Sequence, residues 1–157
     1  MRKRTAAREL ALQFLYQCDV LGDLERGGDG GSAPGGPGGG GLEAFLQEHE
    51  RADAVRSYAS QLAGGFLQNR REIDRKINGV AEHWTLSRMA VVDRNVLRIG
   101  AYELMFCEDI PPKVAINEAV DLAKKFGSAE SGAFVNGLLD RIKGEVGGEP
   151  DGRPPCA

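Results

Sequence analysis

The sequence predicts an all-α protein, a helical bundle of about six to seven helices. Apolar residues recur at helical spacing in almost every ordered stretch. No run alternates Val, Ile, Thr or aromatic residues with polar ones, as a half-buried strand would. The length of 157 residues leaves room for one domain, or for two small lobes sharing a core.

The helices follow in order. From Thr5 to about Leu21, a single stripe is formed by Ala7, Leu10, Ala11, Phe14, Cys18 and Leu21, with Thr5 as N-cap and Gly22 as stop. Residues 27–41 hold ten of the 22 glycines and two prolines, a composition whose backbone entropy no local contact offsets, so a flexible insertion is expected. Leu42 to about Glu48 reads as a short helix with Leu42, Phe45 and Leu46 on one face. One longer helix is then expected from about Ala52 to Ile77, with Gly64 and Gly65 weakening its middle by about 1 kcal/mol each. The charges from Arg70 to Lys76 have mixed signs and read as a solvated face.

From Leu86 to Phe106 the apolar arc widens to include Met89, Val92, Val96, Leu97, Ile99, Ala101 and Leu104, which belongs at the centre of a bundle. Pro111-Pro112 ends this helix and opens the next near Pro112 or Lys113, with Ile116, Ala119, Val120 and Ala123 inward. Lys124-Lys125 then Gly127 is a helix ending with cations at the negative pole of the dipole. Ser128 can cap a last helix from about Ala129 to Lys143, with Val135, Leu138, Leu139 and Ile142 inward and Phe134 off that stripe. Residues 1–143 are thus the domain, and residues 144–157, with four glycines and three prolines, a disordered tail.

Composition narrows the function classes. A hydrophobic fraction of 41% and a charged fraction of 27% are globular values, and no apolar run approaches bilayer-spanning length. Met1-Arg2-Lys3-Arg4 begins like a signal peptide, yet Arg8 and Glu9 interrupt the expected apolar stretch, so a cytoplasmic protein is expected. Cys18, Cys107 and Cys156 lie far apart with no CxxC pair, which gives no zinc site; Cys18 and Cys107 read as small core residues. His49 and His83 stand in no recognisable nucleophile motif.

Charge is more informative. Arg2, Lys3, Arg4 and Arg8 give the first eight residues +4, against −7 on the rest of a chain whose net charge is −3. A basic arm entering an amphipathic helix on an acidic protein is suited to phosphate, and the acidic remainder discourages indiscriminate binding.

Three segments carry a resemblance to a known family. They are RKRTAARELALQFLYQ (2–17), WTLSRMAVVDRNVLRIGAYELMF (84–106), with its D-R-x-x-L-R stretch, and IPPKVAINEAVDLAKKFGSAESGAFVNGLLDRI (110–142). In this order they resemble the NusB family over about half the chain. The resemblance implies two helical subdomains, no catalysis, no cofactor, and a role in transcription antitermination. It also implies partners: NusE, a protein of the small ribosomal subunit; single-stranded boxA RNA of ribosomal RNA leaders; and other Nus factors on RNA polymerase.

Single-stranded RNA is held by cations along its backbone and by rings against unstacked bases. Arg2, Lys3, Arg4 and Arg8 match the family's arginine-rich start and are the expected cations; if all four neutralise phosphates, the salt slope is about −3. Phe134, in Phe-Val-Asn-Gly, matches the aromatic that touches RNA in the family, the competing reading being a half-buried core ring. Glu130 and Ser131 lie in a first helical turn where backbone N–H groups can meet an oxygen. Arg88 is a further RNA candidate, against a surface salt bridge. The family often has lysine before the phenylalanine, where this chain has Ala133. Tyr16 and Asp93 fall where the resemblance places the protein partner, while Asp93 could instead pair with Arg94 or Arg88. The alternatives are a protein-binding helical adaptor without RNA contact, and an RNA methyltransferase, which needs an α/β cofactor domain that this length and the lack of a glycine fingerprint after a strand exclude.

Overall fold

The computed structural model describes residues 2–22, 24, 41–49, 52–82 and 85–147. Among them are seven α-helices and no strand: α1 (Arg2–Val20), α2 (Gly41–His49), α3 (Asp53–Gln68), α4 (Arg70–Val80), α5 (Val91–Phe106), α6 (Pro112–Phe126) and α7 (Ser131–Gly147). A 3-10 turn, Leu86–Arg88, precedes α5. The helices divide into two units, one ending at Asn69 and one starting at Arg70. The glycine-rich insertion, apart from Gly41, and the tail after Gly147 lie outside the described residues.

In the first unit α1 lies against α2 and α3. Ala7, Leu10, Ala11, Phe14 and Cys18 are buried, as their spacing predicts. Leu21 is the exception at 51% exposure, because α1 has already ended at Val20. The stop is Gly22, whose φ of 78° is the left-handed conformation that glycine takes without steric cost. The start departs from expectation: α1 opens at Arg2, so Thr5 lies inside the helix and is not its cap. Phe14 meets Phe45 of α2 edge to face at 5.2 Å, and Phe45 stacks on His49 at 4.2 Å. A side chain on Gly64 would stand 3.7 Å from Leu42, so α2 rests on α3 at that glycine in ordinary contact.

The single long helix expected from Ala52 to Ile77 is two helices, broken at Asn69 and not at the glycine pair. Asn69 leaves helical geometry at φ −115°, ψ 19°. Its side-chain amide donates to the Gly65 carbonyl at 2.8 Å, and its N–H donates to Gly65 and Phe66, so it satisfies the end of α3 from outside the helix.

In the second unit every residue of α5 from Asn95 to Met105 is buried, which makes α5 the centre against which α4, α6 and α7 lie. A Cβ on Gly100 would stand 2.7 Å from Leu139 of α7 and 3.3 Å from Ala119 of α6, so a glycine there lets three helices approach closely. Arg98 makes a two-pronged ion pair with Asp74 of α4, at 3.0 and 3.1 Å, and donates to Asn95 at 3.0 Å. Arg141 of α7 donates to the Val80 carbonyl at 2.9 Å, satisfying the last turn of α4.

The central helix starts at Val91, not Leu86: Met89 and Ala90 are extended, at ψ 153° and 143°. Leu86 is pinned on both sides, its N–H donating to Asn78 at 2.9 Å and its carbonyl accepting from Arg94 at 3.3 Å. Pro112 opens α6 as expected. The last helix runs to Gly147, four residues beyond the expected end at Lys143. Among the described residues no helix is long and apolar enough to cross a membrane.

Candidate nucleic-acid interface

The first unit carries the basic arm as helix, not as extended chain. Arg2, Lys3 and Arg4 fill the first turn of α1, which holds no acidic residue. Cations at this end face the positive pole of the helix dipole, which disfavours them, whereas an anion outside the helix is favoured there. Lys3 and Arg4 are exposed; the side chain of Arg2 is outside the described structure.

Arg8 corrects the expectation of four surface cations, being only 2% exposed. Its guanidinium lies over the ring of Tyr58 in α3, 5.6 Å from the centroid, and Arg4 lies over the same ring at 4.9 Å. An arginine stays ionised at any ordinary pH, so burying one demands compensation, and the ring face contributes to it. Arg8 therefore serves the α1–α3 contact and offers no open charge to a phosphate. Nothing in the sequence marked Tyr58 apart from the rest of its helical stripe.

Further along α1, Tyr16 is 40% exposed, about 18 Å from Arg4 along the axis. Val20 and Leu21 are exposed beside it at 59% and 51%. Tyr16 and Val20 are one turn apart, so the second half of α1 shows an apolar strip that the sequence reading reduced to one tyrosine.

In the second unit the predicted residues gather around the turn from α6 to α7. Ser131 is 2% exposed and fully engaged: its N–H donates to the Ser128 carbonyl at 3.1 Å, and its hydroxyl accepts the Ser128 N–H at 2.9 Å. This is a reciprocal cap between the first residue of the turn and the third after it. The expectation that Ser131 offers an N–H to RNA is corrected accordingly; it shapes the turn. Gly127 is required there, since a Cβ would come within 2.5 Å of the Ser131 hydroxyl and 2.7 Å of the Ala123 carbonyl. Glu130 is exposed on the turn, and its carbonyl accepts the Phe134 N–H at 3.1 Å. Phe134 is half-buried on the first turn of α7, neither sealed inside nor fully displayed.

The same turn shows residues that periodicity had assigned only to a helix ending. Phe126 is 39% exposed, with the Lys125 ammonium 5.3 Å from its ring centroid. The stem of Lys124 lies on Gly132 of α7, where a Cβ would be 3.0 Å away. Arg88 is exposed at the end of the 3-10 turn. Asp93, in the first turn of α5, is partly buried, and its Oδ1 is buried with no hydrogen-bond partner among the described residues. Arg94 turns instead to the Leu86 carbonyl. A buried carboxylate oxygen without a donor is costly to stability.

Comparison with known proteins accords with this geometry. The transcription antitermination protein NusB of Pelotomaculum thermopropionicum is 46% identical over 142 residues, covering 88% of each chain. The solved NusB of T. maritima has a TM-score of 0.74 at 34% identity, covering 96% of this chain and 93% of its own. A solved complex of the antitermination factors NusB and NusE with double-stranded RNA contains a chain 30% identical, with a TM-score of 0.72, covering 92% and 98%. The family model for NusB matches residues 5–143, which include all or most of each of the seven helices, and the chain belongs to the NusB family.

Proposed function

We propose that this protein is a non-enzymatic transcription antitermination factor of the cytoplasm. It binds single-stranded boxA-type RNA together with NusE and, with other Nus factors and RNA polymerase, supports transcription of ribosomal RNA. The observation that carries the reading is the first turn of α1, where exposed cations stand at the positive end of a helix on an otherwise acidic chain. The helix dipole disfavours cations in that place, whereas a bound polyanion is favoured by both the dipole and the cations. The solved assembly of a similar chain with NusE and RNA supports the same partners.

In this reading Lys3 and Arg4, with Arg2, hold phosphates, while Arg88 adds a cation and Phe134 a ring in the second unit. Glu130, exposed on the turn, offers its backbone N–H to an RNA oxygen. Tyr16, extended by Val20 and Leu21, meets NusE through apolar contact, and Asp93 accepts a hydrogen bond from it. Residues 1–143 form the working module, and the insertion at 27–41 is a tolerated linker. An adaptor that meets protein alone is the second reading, favoured by the apolar strip on α1. Titration of a boxA-type strand against a scrambled one, with and without NusE, separates the two. We expect preference for the boxA strand, tighter binding with NusE, and a salt slope of about −3, from Arg2, Lys3, Arg4 and Arg88, Arg8 being unavailable. Binding of neither strand, with NusE still bound, would leave the adaptor.

A further inference from the structure

We propose that Tyr58 is a positioning residue for RNA, holding Arg4 as an outward phosphate seat above buried Arg8. The inference rests on the RNA reading of α1. Arg4 and Arg8 are one helical turn apart, on the same side of α1, and both guanidiniums fall within cation–π range of one ring. Tyr58 is itself only 9% exposed, so the ring cannot move to follow either cation.

The two arginines divide the work. Arg8 is buried, one turn along α1 from Arg4, and lies over the same ring. Arg4 is exposed, so its guanidinium meets solvent as well as the ring. A guanidinium laid on a ring has its plane and its fork of donors set in advance, which lowers the entropy lost when a phosphate engages it. Lysine at the same place would keep the charge without the planar stack.

The double-mutant cycle between Arg4→Lys and Tyr58→Leu tests this, with Tyr58→Phe as the conservative control. The affinity for a boxA-type single strand is measured across salt concentrations, and unfolding is followed in parallel. Arg4→Lys, a surface change that leaves the core intact, is expected to lose about three- to tenfold in affinity with an unchanged salt slope, because the number of charges is the same. Tyr58→Leu should lose a similar factor, Tyr58→Phe should bind within about twofold of the parent, and Arg4→Lys should cost little more in the Tyr58→Leu background. Parent-like affinity in Arg4→Lys overturns the proposal even if Tyr58→Leu does not fold. Multiplicative losses in the double variant also overturn it, because they show that ring and guanidinium act separately. A parent protein that fails to bind the strand removes the RNA reading along with this one, which distinguishes the two failures.

Discussion

Arg4 and Arg8 have the same side chain, the same helix and nearly the same angular position, yet one is exposed and the other is 2% exposed. Depth decides their chemistry. An exposed guanidinium can exchange water for phosphate, and a buried one has already exchanged water for protein. Phe134 stands between these extremes, and its half-burial sets a prediction with two readouts. A ring that stacks on a base contributes roughly 1 to 3 kcal/mol to binding, so Phe134→Ala should weaken binding of a boxA-type strand by about five- to a hundredfold. Because part of the ring is already exposed, unfolding stability should fall by less than the 3 to 5 kcal/mol or so that removal of a fully buried phenylalanine costs. A large stability loss with unchanged RNA affinity would make Phe134 a core residue and nothing more.

Between α4 and α5 the decisive link is the Arg98–Asp74 pair, with side chains 9% and 23% exposed. Removing one member strands the other, so Arg98→Ala should cost about 3 kcal/mol, the low end for a buried pair because Asp74 keeps some solvent. Urea unfolding measures this. RNA affinity below the unfolding transition should stay at the parental value, since neither residue is among the proposed RNA contacts. A loss below about 0.5 kcal/mol would place the pair with ordinary surface salt bridges. The pair also shows what the sequence could and could not disclose. Helices α1, α2, α6 and α7 follow from apolar periodicity and from Gly22 and Pro112, because those signals are local, although α7 starts at Ser131 and not under a Ser128 cap. The break at Asn69 was hidden because a side chain bonding a carbonyl four residues back leaves no gap in the apolar stripe. Arg98 with Asp74, and Arg8 with Tyr58, are pairings across 24 and 50 positions, and periodicity within one helix says nothing about which residues face each other across two. The turn holding Glu130, Ser131 and Phe134 was located correctly as a segment, but the closed hydroxyl cap of Ser131 was visible only in three dimensions.

Over the whole chain, opposite charge is separated along the sequence: +4 in the first eight residues and −7 in the remainder. This imbalance favours an RNA strand engaging the start of α1 and disfavours binding elsewhere, and it makes no demand on the glycine-rich insertion, which has no basic residue. Residues 28–40 contain one acid, Asp29, and no base, so they bring neither cations nor aromatic rings to a polyanion. Their deletion shortens the connection from α1 to α2 within a single unit, leaving residues 25–27 between Leu24 and Gly41. A residue of extended chain spans at most roughly 3.5 Å, so the shortened link reaches about 14 Å. If that bridges the gap, closing a loop of fewer residues costs less entropy, by about 0.6 kcal/mol for each halving of length. Thermal unfolding of the deletion variant should therefore occur at the parental temperature or a few degrees above it. Affinity for the boxA-type strand should stay within about twofold, since no charge–phosphate contact of α1 is removed. A large drop in RNA affinity with the unfolding temperature preserved would show that the insertion itself touches RNA. A drop in both would mean that the spacing between α1 and α2 exceeds the reach of three residues, and restoring six glycines should then recover both.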